Sequence, residues 1–176
     1  NQAAFASETS AAAPFKVCVV RGVSQALAAQ TLGGTIDVIL GLTESNVAAD
    51  FYTKIFAWVT VGDSDTSRGT VVNWEESSGG GGTEWPTTST GAALQAAQSV
   101  GAVGVLEGDR LVVEFGFISE NVSATSRTGT VRVGSRGSDL VLQSDLTVAS
   151  TSTSSLAGFI VFSQDITLSA TEPTNM

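Results

Sequence analysis

The stretch Asp50-Phe51-Tyr52-Thr53-Lys54-Ile55-Phe56-Ala57-Trp58-Val59-Thr60-Val61 repeats with a period of two. Phe51, Thr53, Ile55, Ala57, Val59 and Val61 fall on one side, and Tyr52, Lys54, Phe56, Trp58 and Thr60 on the other. A strand with one wet face alternates apolar and polar residues, whereas a strand covered on both faces is apolar on both. Here neither side is polar throughout. The segment is therefore expected to be a central strand with a layer over each face.

Working outward, the same residue types recur in short runs between turn signals. Lys16 to Gly22, Thr35 to Leu42 and Arg68 to Trp74 read as strands, as do Thr128 to Val133 and Gly158 to Leu168. Leu140 to Leu142 and Leu146 to Val148 are shorter candidates. Val103 to Leu106 and Arg110 to Ser119, about the turn Glu107-Gly108-Asp109, read as a hairpin. Gln25 to Thr31 is expected as a helical turn, and Ala92 to Ser99 as a short helix because Ala, Leu and Gln favour one. About eight strands with little helix predict an all-β fold, an antiparallel two-sheet sandwich. A jelly roll is the first choice and an immunoglobulin-like sandwich the second. Residues 1–14, rich in Ala, Ser and Thr, are expected as an extended N-terminal arm, with Phe5, Pro14 and Phe15 as assembly contacts. Residues 15–168 form the sandwich domain, and 169–176 a polar C-terminal tail.

Composition narrows the chemistry. The 176 residues include no histidine and one cysteine, Cys18, set in the apolar run Val17-Cys18-Val19-Val20 and expected to be buried. Ser-His-Asp and Cys-His sites are excluded without histidine, and so are His-based or multi-Cys zinc sites. No phosphate-binding or dinucleotide fingerprint is present. The reading is of a protein that is not an enzyme, with no cofactor and no metal. The formal net charge of −9 disfavours nucleic acid and anionic membrane as partners. Charged residues make up 14%, against about 25% in an average soluble protein. So few charges fit a subunit that buries surface against neighbours.

Four segments carry a resemblance: Trp58 to Thr70, Gly108 to Gly116, Ser126 to Thr130, and the closing strand Ala157 to Phe162. Together they resemble β-sandwich structural proteins of tailed bacteriophages and prophages. The resemblance implies a virion component, either a head decoration (cement) protein or a tail or fibre module. The implied partners are the major capsid protein or other virion proteins. A homo-oligomer is expected, with a trimer favoured on grounds of closed symmetry. The family carries no catalytic residues onto this chain.

The alternative is a carbohydrate- or receptor-binding β-sandwich module. Trp74, Glu76, Glu84 and Trp85 on the long loop around Gly79-Gly80-Gly81-Gly82 would be its contacts, with rings stacking on sugar faces and carboxylates binding hydroxyls. Against this stands the plain reading, in which the two Trp residues anchor an acidic loop to the body. Paired loop carboxylates can hydrolyse glycosidic bonds, but nothing else here supports that chemistry. Asp63 and Asp65 lack the ordered oxygen ligands of a calcium loop and read as turn residues. Arg110, Arg127 and Arg132 are expected to neutralise Glu107, Asp109 and Glu114 across strands.

Overall fold

The computed structural model describes residues 2–8, 15–87, 90–121, 125–133 and 159–170. Eleven strands lie among them: β1 (Gln2–Glu8), β2 (Phe15–Val23), β3 (Gln30–Leu32), β4 (Thr35–Glu44), β5 (Phe51–Thr60), β6 (Ser67–Glu75), β7 (Thr90–Ser99), β8 (Val103–Val105), β9 (Arg110–Ser119), β10 (Arg127–Val133) and β11 (Phe159–Phe162). Short 3-10 turns occupy Val47–Ala49 and Ser78–Gly80.

The pairing is nested. β1 pairs with β10, β2 with β9, β4 with β7, and β5 with β6, all antiparallel. Those strands make one long antiparallel ribbon. The ribbon rolls up so that β10 meets β4 and β9 meets β5. Rolling yields two facing sheets, β1-β10-β4-β7 and β2-β9-β5-β6. This is the jelly roll, in which consecutive strands exchange between sheets. β11 continues along the β4 edge that β10 begins, pairing Phe159–Phe162 with Ile36–Ile39. β3 and β8 form a separate small pair, with Leu32, Val103 and Val105 buried in the core.

The inner face of β5 behaves as its alternation predicts. Phe51, Thr53, Ile55, Ala57 and Val59 are buried, facing Ile36, Val38, Leu42 and Val131 of the other sheet across the core. Phe51 and Phe117 stack at 4.0 Å between centroids.

Three local expectations are corrected. Ala92 to Ser99 is strand β7, because the open edge of β4 offers a ladder of hydrogen bonds along Thr35 to Leu42, interrupted by two register shifts. Helix propensity differences of a few tenths of a kcal/mol per residue do not outweigh such a ladder. Gln25 to Thr31 runs irregularly into β3, with Leu27 bonded to Asp109 and Ala28 to Thr167. β8 and β9 are not hairpin partners: β8 pairs with β3, and β9 lies between β2 and β5.

The segment read as an arm is placed on its own chain. β1 runs along β10 from Gln2 opposite Val133 to Glu8 opposite Arg127, with Phe5 opposite Thr130. Phe15 opens β2 opposite Ser119. β1 thus covers an edge of β10 that would otherwise present unpaired N–H and C=O groups. Pro14 and the candidate strands at 140–142 and 146–148 lie outside the described residues. At the C-terminal boundary, Ser169 N–H still donates to Ala26 C=O.

Candidate functional site

The loop after β6 does not present the expected aromatic platform. Trp85 is 2% exposed and stands edge-on to Phe117, 5.4 Å between centroids, and to Phe51, 6.2 Å. Its indole N–H donates to the buried Thr53 hydroxyl at 3.0 Å, and its backbone N–H to Phe51 C=O at 2.9 Å. Trp74 lies opposite Ile55 and packs against the core. Glu76 is buried. Of the two Trp residues, Trp85 alone anchors the loop, closing one end of the sandwich, whereas Trp74 belongs to β6. The glycine run has a defined shape as well. Ser77 Oγ accepts from Gly80 N–H, Gly81 takes a φ of 74°, and a Cβ on Gly82 would sit 2.9 Å from the Ser77 backbone.

Glu44 ends β4 on the parity of Ile36, Val38 and Leu42, and so points inward. Phe51 N–H donates to its Oε2 at 3.2 Å. Its Oε1 and the Oε1 of Glu84 have no hydrogen-bond donor from any other group. Burial, and then repulsion by Glu84, push the Glu44 carboxyl up to about 8, although the Phe51 N–H opposes the shift. In the unfolded chain Glu44 titrates near the ordinary 4.5, so between there and about 8 the folded chain holds the extra proton. Stability must therefore fall as pH rises through that window. Each pH unit between the two titrations corresponds to about 1.4 kcal/mol, and water reaching the half-buried Glu84 screens part of the total. A loss on the order of 2 kcal/mol is expected between about pH 5 and pH 9. Urea midpoints across that range should decline in the native chain and flatten in Glu44→Gln. A native profile that rises, or matches the variant, would contradict the raised titration of Glu44.

The outer face of β2-β9-β5-β6 corrects the opening expectation. Phe56 and Trp58, read as lying under a second layer, are only half-buried. Between the buried Tyr52 and Thr60, the second side of β5 is partly open, because the ribbon rolls into two layers and leaves no third. Along this face Phe56 pairs across to Glu114, and Glu114 pairs in turn to Arg21. The Phe56 and Trp58 rings lie 5.0 Å apart. Arg21 sits 5.8 Å from the Trp58 centroid, and Lys54 5.6 Å from that of Phe56. Arg21 also binds the Glu114 carboxylate, its Nε donating at 2.8 Å. Lys54 donates to Asn73 and, with Lys16, to Glu75. The Lys16 and then the Lys54 hydrogen bonds hold the Glu75 carboxyl below its usual range.

Two depressions lie either side of the ring pair. One, about 240 Å³, is lined by Lys16, Cys18, Lys54, Phe56, Glu114 and Gly116, among others. The second, about 300 Å³, is lined by Arg21, Val23, Trp58, Thr60, Asp63 and Asp65, among others. Cys18 is exposed here, contrary to the buried position expected for it. A register shift in β2 between Cys18 and Val20 breaks the simple alternation. Burial, and then Glu114, push its thiol up from the ordinary value.

A third feature is the loop end opposite Trp85. Asp109, 2% exposed, gathers it. Its carboxylate accepts from Arg68 at 3.0 Å, Leu106 N–H at 2.8 Å and Gly62 N–H at 3.3 Å. Burial alone would raise this carboxyl, but the bonds from Arg68, Leu106 and Gly62 outweigh it and carry it below the usual range. Arg110 binds Asp63 across the same end. Asp109 and Glu114 are thus paired with Arg68 and Arg21, in place of the expected Arg110, Arg127 and Arg132. Val61 and Leu106 are exposed on the segments so pinned, and Leu168 is exposed as well. Leu168 bridges to Leu27, whose C=O accepts from Gly108. Among the described residues no three Cys, Asp or Glu side chains converge as a metal site.

Comparison of the chain with protein-family models, with curated proteins and with solved structures finds no match.

Proposed function

We propose that this chain is a virion structural protein of a tailed phage, a decoration subunit that stabilises the capsid by binding between capsid subunits. It works through surface complementarity and not through covalent chemistry. The observation that supports this most is the rigid loop end. The Asp109 carboxylate ties the Gly62 turn, Arg68 and the Leu106 turn in one arrangement, Val61 and Leu106 are exposed on those turns, and Leu168 is exposed on the segment bridged to Leu27. Exposed apolar side chains on a rigid scaffold lose little entropy on docking, which favours a stable joint. A subunit that binds only the assembled lattice stabilises that lattice by mass action. Closed symmetry makes a trimer over a lattice junction the favoured form.

Particles banded on a density gradient from producing cells should carry the chain at a fixed ratio to the capsid protein. Leu106→Asp with Leu168→Asp should lower its occupancy about tenfold or more, with its unfolding midpoint unchanged. Chain found only at the top of the gradient, or occupancy unmoved by the two substitutions, would overturn the proposal.

A further inference from the structure

We infer that the outer face of β2-β9-β5-β6 binds a neutral carbohydrate, its sugar rings on Trp58 and Phe56 and its hydroxyl groups on the flanking ion pairs. The inference stands apart from the virion reading, since none of Val61, Leu106 and Leu168 lines either depression. It also differs from the sequence-based expectation, which put sugar contacts on Trp74 and Trp85.

Three observations carry it. The first is shape. A flat sheet offers a small ligand no hold, but here the ring pair divides two depressions of about 240 and 300 Å³. Each is at or below the lower end of small-molecule pockets, roughly 300–1,000 Å³, and so suits one ring of an extended ligand. Gly116, with no side chain, lines the first one.

The second is chemistry. A pyranose ring has an apolar face of C–H bonds and a rim of hydroxyls. The C–H face fits the negative face of an aromatic ring. Vicinal hydroxyls fit a planar carboxylate acceptor beside a planar guanidinium donor. Arg21 and Glu114 supply that combination, held by their own pairing beside Trp58. Lys54, Asn73 and Glu75 supply a second donor and acceptor group beside Phe56. Groups already fixed by one another lose little freedom when the ligand arrives.

The third is charge. The ions on this face balance: Arg21, Lys16, Lys54 and, at its margin, Arg110 stand against Glu114, Glu75, Asp63 and Asp65. The whole chain carries −9 and repels polyanions. The matching ligand is therefore uncharged. A second copy of the chain fits poorly. Burying the face would desolvate Lys16 and Arg21, whose side chains are 56% and 60% exposed.

The test is affinity electrophoresis of the full chain in gels containing xylan, mannan, β-glucan or glycogen, with alginate as the polyanion. At least one neutral polysaccharide should retard the native chain. Trp58→Ala should weaken that retardation about tenfold or more. Glu114→Gln, which keeps size and loses the charge that fixes Arg21, should also weaken it, with unchanged thermal unfolding as the check on folding. Alkylation of Cys18 by iodoacetamide should slow when the polysaccharide is bound, since its thiol lines the first depression. Four outcomes would overturn the inference: no retardation by any neutral polysaccharide, retardation that both variants retain, stronger retardation by alginate, or self-association that Trp58→Ala abolishes without any glycan binding.

Discussion

Trp85→Ala is expected to cost about 3–5 kcal/mol of stability, the range for truncating a fully packed large aromatic. The indole fills the end of the sandwich against Phe51 and Phe117, so its removal leaves a cavity lined by two rings that are themselves stacked. The walls cannot collapse easily, because Phe51 and Phe117 are held by the β5–β9 ladder. The substitution also strips the buried Thr53 hydroxyl of its partner, which adds a desolvation cost. Trp85→Phe separates the two contributions. It keeps most of the volume and loses the N–H, and should cost about 1–3 kcal/mol. Urea unfolding of the three chains measures this directly. A sugar-contact role for Trp85 would give the opposite pattern, lost binding with stability intact. Stability within about 1 kcal/mol of the native chain would return Trp85 to the surface.

Trp85 also marks where the sequence stops being informative. Period-two alternation located the strands of the core, because the side-chain direction of a strand is fixed by its backbone. The inner face of β5 was legible for that reason, and so was the sandwich. What alternation does not encode is how many layers the ribbon forms. Tyr52, Lys54, Phe56, Trp58 and Thr60 looked like a covered face, and Phe56 and Trp58 are instead half-buried on an outer one. Their neighbours Arg21, Glu114 and Lys54 come from three strands far apart in sequence, and only the pairing of β2 and β5 with β9 brings them together. The signal that pointed to them was present: two aromatics and a lysine on the side of a strand away from its aliphatics. Loop residues failed for the converse reason. Nothing in Glu84-Trp85-Pro86 says whether its indole points into the core or out of it. The 92–99 segment failed because propensity is a local quantity, while the open edge of β4 that captured it is supplied by residues about fifty positions away.

Gly116→Ala should be among the most damaging single-methyl additions this chain can receive, at about 3 kcal/mol or more. Gly116 sits in the middle of β9, between Cys18 of β2 and Lys54 of β5. Glycine is unfavourable inside a strand, so its presence there marks a place where another backbone comes close. A Cβ at this position would overlap the Val17 carbonyl oxygen and lie 2.9 Å from the Val17 carbonyl carbon. Both atoms belong to the main chain of β2, so no rotamer change relieves the clash. β2 must move away from β9, and the register shift beside Cys18 means that this part of the ladder already has fewer bonds to hold it. Gly22→Ala is the matched control. It lies on the same strand pair, opposite Val113, with nothing within 4 Å of its Cβ. It should change stability by no more than about 0.5 kcal/mol. A Gly116→Ala chain that unfolds at the native urea midpoint would mean that β2 does not approach β9 as described. The depression lined by Gly116 would then be lost with it. A large loss at Gly116 with none at Gly22 would tie the shape of the outer face to a strand contact that only glycine permits.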